Sequence, residues 1–217
     1  MAQYDVVFIG PPGSGKGTQA KKLCARLGVP QVSTGDMLRE ARSAGSELGK
    51  KVAAIMDRGT LVSDELVIEL VDERLHRKDA VPGFVLDGFP RTIPQAEALD
   101  SLLKRMGRTL QHVVLLEVPD ALIVERITGR RTGETTGRIY HIKYDPPPSP
   151  DRGEGGERLL VRDDDREDVV KARLANYAAQ TAPLIPFYVD RGLLRRVDGV
   201  GSQEDVSRRL MESIGAK

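Results

Sequence analysis

An α/β fold, a parallel sheet covered by helices on both faces, is predicted by three observations. Short apolar runs rich in β-branched residues recur at "DVVFI" (5–9), "GFVLDG" (83–88), "HVVLLEV" (112–118) and "LLRRVDG" (193–199). Helical patterns lie between them. The first run stops at a glycine-rich turn, "GPPGSGKGTQ" (10–19), that opens a helix. Continuous apolar runs mark strands buried on both faces, and strand–helix alternation marks a parallel sheet.

The elements follow in order. After the first strand, Ala20, Leu23, Cys24 and Leu27 fall on one helical stripe, Gly28 suits the C′ position and Pro30 blocks continuation. Cys24 on that stripe reads as a core residue. "SDELVIELVDERLHR" (63–77) opens on a Ser/Asp cap signal with acids in its first turn, and "PDALIVERI" (119–127) starts with Pro and Asp. The stretch 168–190 reads as helix up to Pro183, and a last helix is expected within 203–214, where Val206, Leu210 and Ile214 are spaced by four. Two segments break the rhythm. Residues 33–62 are rich in helix formers and carry Gly35, Gly45, Gly49 and Gly59. Residues 129–165 hold six Gly, four Pro and six Arg with few apolar side chains, the pattern of a small sheet with a long loop. So long an interruption in a compact domain is a functional lid or a disordered linker.

Composition narrows the function classes. Lys plus Arg is 33 and Asp plus Glu is 32, so no global charge calls for nucleic acid or an anionic membrane. One cysteine in 217 residues excludes an internal disulfide and a cysteine-rich zinc site. No apolar run of about 18 residues is present. "MAQYDVVFIG" has no basic n-region and reads as neither signal nor transit peptide, so the expected compartment is cytoplasmic.

Three constellations carry chemistry. Between strand and helix, the "GPPGSGKGT" turn is a phosphate loop: its backbone N–H groups form an anion nest, the helix N-terminus adds its dipole, and Lys16 adds a mobile cation. It departs from G-x-x-x-x-G-K-[ST] at Gly17, with Thr18 one step late. Without a hydroxyl at 17, a divalent ion is expected to rest on phosphates and waters, with Asp87 as the outer organiser. The second constellation, "FVLDGFPRT" (84–92), puts Asp87 at a strand end in the Walker-B manner and Arg91 just beyond the sheet edge where ligands bind. The third is arginine density at both ends of the long insertion: Arg126, Arg130 and Arg131 lead in, and Arg162, Arg166 and Arg173 lead out. Guanidinium groups match phosphoryl oxygens bidentately. Asp163, Asp164 and Asp165 are interleaved, so not every arginine need touch substrate. The set suits phosphoryl transfer under movable, water-excluding covers.

At this point the chain resembles the adenylate kinases with a long lid, over essentially its whole length. The carrying motifs are "GPPGSGKGTQA" (10–20), "STGDMLR" (33–39), "GTLVSDELV" (59–67), "GFVLDGFPRTIPQA" (83–96), "GRR" (129–131), "GRIYH" (137–141) and "VRDDD…R" (161–173). The resemblance implies ATP + AMP ⇌ 2 ADP with Mg²⁺. It implies a P-loop NTPase-type core of five parallel strands (1–32, 63–128 and 166–217), a helical AMP-binding insertion (33–62) and a small β-rich lid (129–165). Carried over position by position, Gly13, Ser14, Gly15, Lys16, Gly17 and Thr18 surround the ATP phosphates. Arg126, Arg130, Arg162 and Arg173 converge on the phosphoryl chain, with Lys16 and Arg91 also catalytic. Ile139 and Tyr140 flank the ATP base, and Gly201 meets it through backbone. Thr34, Arg39, Arg91 and Gln95 bind AMP, Gln95 reading the adenine edge, and the backbone of Thr60, Leu61, Val62, Gly88, Phe89 and Pro90 lines the same pocket. Asp87 organises Mg²⁺ through water, and Asp164 and Asp165 join in lid closure.

The lid departs from the family twice. It has none of the four cysteines that hold structural zinc in many long lids, and the polar "HAPSG"-like turn of others reads "GETTG" (133–137) here. No zinc is expected, and a lid looser than a zinc-bearing one. Partners implied are ATP, AMP and ADP, with no nucleic acid and no membrane, on a monomer. Rival readings are a kinase for UMP/CMP or GMP, a P-loop switch, and an ATP-binding interaction module. The switch lacks an N-K-x-D element, since the chain's one asparagine is Asn176 in "ANYAA". Thr34, Gln95 and the long lid speak for AMP.

Overall fold

The structure is a computed structural model, and it describes residues 4–43 and 62–216. Five parallel strands form its main sheet in the order β2-β3-β1-β4-β8: β1 is Tyr4–Ile9, β2 Gln31–Ser33, β3 Gly83–Asp87, β4 His112–Glu117 and β8 Leu194–Asp198. The expected five-stranded parallel core is present. Val6 lies opposite Val85 on one side and His112 on the other, which sets β1 at the centre.

Because side chains alternate along a strand, each strand feeds two cores. Val6, Phe8, Val85, Val114 and Val197 face helix α1 (Lys16–Leu27) and helix α8 (Gln203–Ser213), packing on Leu23, Leu210 and Met211. Val7, Ile9, Leu86, Val113 and Leu115 face the opposite way. They pack on α3 (Asp64–Leu75), α4 (Ile93–Arg105) and α7 (Leu184–Val189) through Val71, Leu99, Leu103 and Tyr188. Cys24 lies in the first of these cores, and burial pushes its thiol up to about 12. At the sheet's N-terminal end Asp5 is fully buried and Arg108 nearly so. Arg108 Nε donates to Asp5 Oδ2 at 2.9 Å, and its guanidinium lies 4.9 Å from the Phe84 ring centroid. Burial still pushes Asp5 above its ordinary value against the pull of Arg108.

The helix ends are set locally. The side chain of Thr92 accepts from Gln95 N at 3.3 Å at the start of α4, and Ser202 from Asp205 N at 3.1 Å at the start of α8. Ser63 precedes α3 as expected but makes no side-chain cap bond. Helix α2 is Thr34–Ser43; residues 44–61, with Thr60 and Leu61, lie outside the described residues. Helix α5 is Asp120–Thr128. The stretch expected to be helical until Pro183 changes type on the way: α6 spans Glu167–Asn176, and a π-turn follows over Tyr177–Thr181. Ala182 N donates to Tyr177 O at 2.8 Å, a wider ring that shifts register just ahead of the proline, which has no N–H to continue the ladder.

Residues 130–160 build a second, antiparallel sheet in the order β6-β5-β7, from β5 (Arg130–Gly133), β6 (Ile139–His141) and β7 (Leu159–Leu160). Its turn is tied by Glu157. Oε2 accepts from Thr135 N at 3.2 Å and Thr136 N at 3.0 Å, and Oε1 from the Thr136 hydroxyl at 2.7 Å. A Cβ at Gly133 would stand 2.3 Å from Glu157 Oε1, so a larger residue there would make this carboxylate give way.

Candidate active site

The phosphate loop leaves the C-terminal end of β1, and Lys16 is the first residue of α1. A Cβ on Gly13 would lie 2.6 Å from Ile127 Cγ1, and its φ of 79° is one that glycine alone adopts freely, so this turn admits nothing larger. Lys16 Nζ donates to the loop's own carbonyls, Gly10 O at 2.7 Å and Pro11 O at 2.8 Å, which curls the ammonium over the nest. Desolvation lowers Lys16 to about 8. Asp87 opposes that fall, while Arg91, Arg173 and Arg130 add to it.

Asp87 closes β3, opposite Phe8 of β1 and Ser33 of β2. Gln31 Nε2 donates to its Oδ2 at 3.2 Å. A Cβ at position 17 would sit 3.3 Å from that same oxygen. With no side chain at 17, this oxygen face stays open. Burial pushes Asp87 above its ordinary value, against the field of Lys16. Carboxylate oxygen beside a phosphate nest is the donor set of a hard divalent cation. Among the described residues no group of three His, Cys, Asp or Glu forms a protein cage. That fits an ion such as Mg²⁺, which keeps its waters and takes one or two carboxylates plus substrate phosphates.

The arginines sort into three kinds. Arg130 and Arg173 are held by carboxylates. Arg130 Nε donates to Asp165 Oδ2 at 2.8 Å with a second bond from its Nη2, and Arg173 Nη1 donates to Asp164 Oδ2 at 2.9 Å. Burial works against the charge on Arg130, yet the bonded Asp165 raises it; burial likewise opposes charge on Asp164, yet Arg173 and Arg130 hold it below its usual range. Arg91 and Arg162 pair with no carboxylate among the described residues. Arg91 Nε donates to Gly88 O at 2.8 Å, and Arg162 Nε to Thr132 Oγ1 at 3.1 Å. Both fall to about 10, Arg91 through burial and Arg173, Arg162 through burial and Arg130. Arg131 and Arg166 stand apart: Arg131 donates to Thr128 O at 3.1 Å, and Arg166 is exposed beside Asp168. Four guanidinium groups and an ammonium thus share one desolvated field, which a polyanion would relieve.

The remaining expected residues fall on two sides of this field. Arg126 bridges the phosphate loop to the turn after β8, donating to Gly199 O at 3.0 Å and Ser14 O at 3.4 Å, and Gly201 lies in that same turn at φ 114°. Tyr140 is a core residue of the small sheet. Its ring is 1% exposed inside the small sheet, its hydroxyl accepts from Glu154 N at 2.8 Å, and Arg138 covers the ring at 4.6 Å. An aromatic on a polar, glycine-rich lid is that lid's core, so only backbone at 140 is free to face a nucleotide; Ile139 is half-buried beside it.

On the other side Thr34 Oγ1 donates to Gly88 O at 2.9 Å, joining α2 to the turn that carries Arg91. Arg39 pairs with Asp36 at 2.5 Å. The side chains of Val62 and Phe89 belong to the core, and the Phe89–Pro90 peptide is cis. Gln95 is 1% exposed; its Oε1 accepts from Arg91 N at 2.7 Å and its Nε2 donates to Asp64 Oδ1 at 2.7 Å. Asp64 Oδ2 also accepts from the Thr92 hydroxyl at 2.9 Å. Reading the sequence as helix-start chemistry missed Asp64, as it missed Gln31 and Glu157, since each finds its partner far along the chain.

A phosphate loop, a strand-end acid and a ring of arginines at the C-terminal edge of a parallel sheet make a phosphoryl-transfer site. Comparison with known proteins agrees. The family model described as adenylate kinase matches residues 8–193. A curated adenylate kinase of Sorangium cellulosum is 51% identical over 213 residues, 97% of this chain and 96% of that protein. Those of Paramagnetospirillum magneticum and Archaeoglobus fulgidus are 50% and 49% identical over 208 residues, covering 95% of this chain and 96% and 95% of theirs. With most of its length inside the family's pattern and half its residues shared with such relatives, the chain belongs to the adenylate kinase family.

Proposed function

We infer that this chain catalyses reversible transfer of the terminal phosphoryl group of Mg-ATP to AMP, giving two ADP. A phosphate oxygen of AMP attacks the γ-phosphorus, the bond from that phosphorus to the bridging oxygen breaks, and the electron pair leaves on ADP. The observation that carries the reading is the gathering of Lys16, Arg91, Arg130, Arg162 and Arg173 into one buried cationic group, only partly offset by Asp164 and Asp165. Charge placed in advance where a transferring group will sit costs no reorganisation at the moment of reaction.

In this reading the loop from Gly13 to Thr18 cradles the ATP phosphates, and Lys16 swings from its carbonyls onto them. Arg126 and Gly201 serve the ATP side, with Ile139 and the backbone of Tyr140 from the lid. Thr34, Arg39, Arg91 and Gln95 hold AMP, along backbone from Thr60 to Val62 and from Gly88 to Pro90. Arg130, Arg162 and Arg173 gather on the transferring group as residues 129–165 close over ATP and 33–62 over AMP. Asp87 is the residue that would hold the waters of Mg²⁺. When bound, the ion would neutralise the negative charge of the ATP phosphates during transfer. We place the enzyme in the cytoplasm as a monomer without zinc, on its balanced charge, its single cysteine and the absence among the described residues of a helix able to cross a membrane.

The test is a coupled assay of ADP formation from Mg-ATP with AMP, GMP, UMP and CMP in turn. Transfer to AMP well above the others is expected. No transfer to AMP would sink the reading, and equal rates on UMP would move it to a related kinase. Arg91→Ala is expected to lower kcat/KM for AMP by about 10²–10³-fold.

A further inference from the structure

We propose that Asp64 is a specificity-determining positioning residue: it fixes which way round the Gln95 carboxamide faces the base of the monophosphate, and so selects adenine over hypoxanthine and guanine. The proposal rests on the reading that Gln95 contacts that base.

A carboxamide is nearly symmetric in shape and opposite in chemistry at its two ends. Its oxygen accepts two hydrogen bonds and its nitrogen donates two. Left alone it rotates to suit either partner, and a base presenting the reverse pattern is read as readily as the right one. In this fold both ends are pinned. The Arg91 backbone N–H can only donate, and it meets Oε1 at 2.7 Å. The Asp64 carboxylate accepts, and it meets Nε2 at 2.7 Å. Turning the amide over would set N–H against N–H at Arg91 and oxygen against a carboxylate at Asp64. Gln95 is 1% exposed, so water cannot satisfy the mismatched groups. The Thr92 hydroxyl holds the other Asp64 oxygen at 2.9 Å, which keeps the carboxylate from swinging away.

The pins use half of what the amide offers. Among the described residues, one hydrogen on Nε2 and one lone pair on Oε1 make no other bond. What remains is one donor and one acceptor in a fixed order. Adenine presents an amino donor beside a ring-nitrogen acceptor on its Watson–Crick edge. Hypoxanthine and guanine present an oxygen acceptor beside a ring N–H, the reverse order. An amide that cannot turn fits the first and opposes the second. The same backbone N–H belongs to Arg91, so the base reader and the residue proposed for the AMP phosphate are joined by one hydrogen bond.

The experiment compares AMP with IMP, which reverses the two atoms and adds no exocyclic group, in wild type, Asp64→Asn, Gln95→Leu and the double variant. Asparagine can offer either an oxygen or an N–H₂, so it removes the pin at Nε2 and leaves the Arg91 N–H as the one remaining constraint on the amide. Asp64→Asn is expected to cut the AMP/IMP ratio of kcat/KM by about tenfold or more, through KM for AMP, with kcat and KM for ATP little changed. Gln95→Leu should abolish the preference, and adding Asp64→Asn to it should do nothing more. If Gln95→Leu keeps the preference, the base-reading role of Gln95 falls and this proposal with it. If Gln95→Leu abolishes it while Asp64→Asn stays within about twofold of wild type, the role of Asp64 is overturned and that of Gln95 stands. One measurement needs no substitution: one Gln95 side-chain amide proton should be protected from exchange in the free wild-type enzyme, and two freely exchanging protons would overturn the lock.

Discussion

In the main sheet Val7, Leu86 and Val114 are sealed from water on both faces, whereas in the small sheet 130–160 only Gly133, Tyr140 and Leu159 are buried among the strand residues. The main sheet is held by exclusion of solvent, which is non-directional and indifferent to pH. The lid sheet is held by aimed polar contacts near the surface: Glu157 on Thr135 and Thr136, Glu154 on Arg138, and the Tyr140 hydroxyl on Glu154 N. Even their ion pairs differ. Asp5 and Arg108 are dry; Arg138 and Glu154 are wet. The roles proposed above, a frame that holds the phosphate loop still and a cover that moves, call for different forces, since contacts of small individual worth are broken and remade cheaply.

The largest expected effect breaks the dry pair. Arg108→Met leaves a buried carboxylate without its partner and should cost about 3–5 kcal/mol in urea unfolding. Because burial already pushes Asp5 upward, replacing both partners with apolar residues should recover most of that loss. A single variant no worse than the double would erase the contrast with the lid. Next, Leu86→Ala should cost about 2–5 kcal/mol and shift the whole unfolding transition. At the seam between sheet and cover, Lys16 sharpens the comparison by pH. Its value near 8 in the free protein lies below the ordinary 10.5, so between these pH values the free enzyme has lost a proton that a bound phosphate would restore. ATP binding should therefore take up close to one proton there, read by calorimetry in buffers of different ionisation enthalpy, and little at neutral pH.

The smallest effects belong to the lid. Glu157→Gln should speed hydrogen exchange at the Thr135 and Thr136 amides several-fold without moving global unfolding. Bonds from the Thr136 hydroxyl and N–H hold the Glu157 carboxyl below its ordinary 4.5. Its contribution is complete above that value and is lost as pH falls through the lower folded value. Acid should accordingly loosen lid amides before core amides. Lid amides as protected as those of β1 would contradict the view of a loose, polar cover.

The core was legible because its signals are local. A run such as "DVVFI" ending at a glycine-rich turn declares strand, loop and helix within twenty residues. The change of helix type at Tyr177 was not legible, since no pattern announces a π-turn six residues ahead of a proline. What pins Gln95, ties the lid turn and buries Arg108 was not legible, because each partner is remote: 31 residues from Asp64 to Gln95, 21 from Thr136 to Glu157, 103 from Asp5 to Arg108. That the Tyr140 ring would be buried was not legible either, because Arg138 and the Glu154 N–H close on it only in the folded sheet.

Cys24 has a practical side. The only thiol of the chain is buried in the α1 face of the sheet, and burial pushes it up to about 12, so the wild-type surface is blank to thiol-directed dyes. A pair of cysteines introduced at exposed sites, one on the lid turn and one on α8, would be labelled without first removing the native residue. The distance between two fluorophores could then be followed through turnover on an otherwise unaltered molecule.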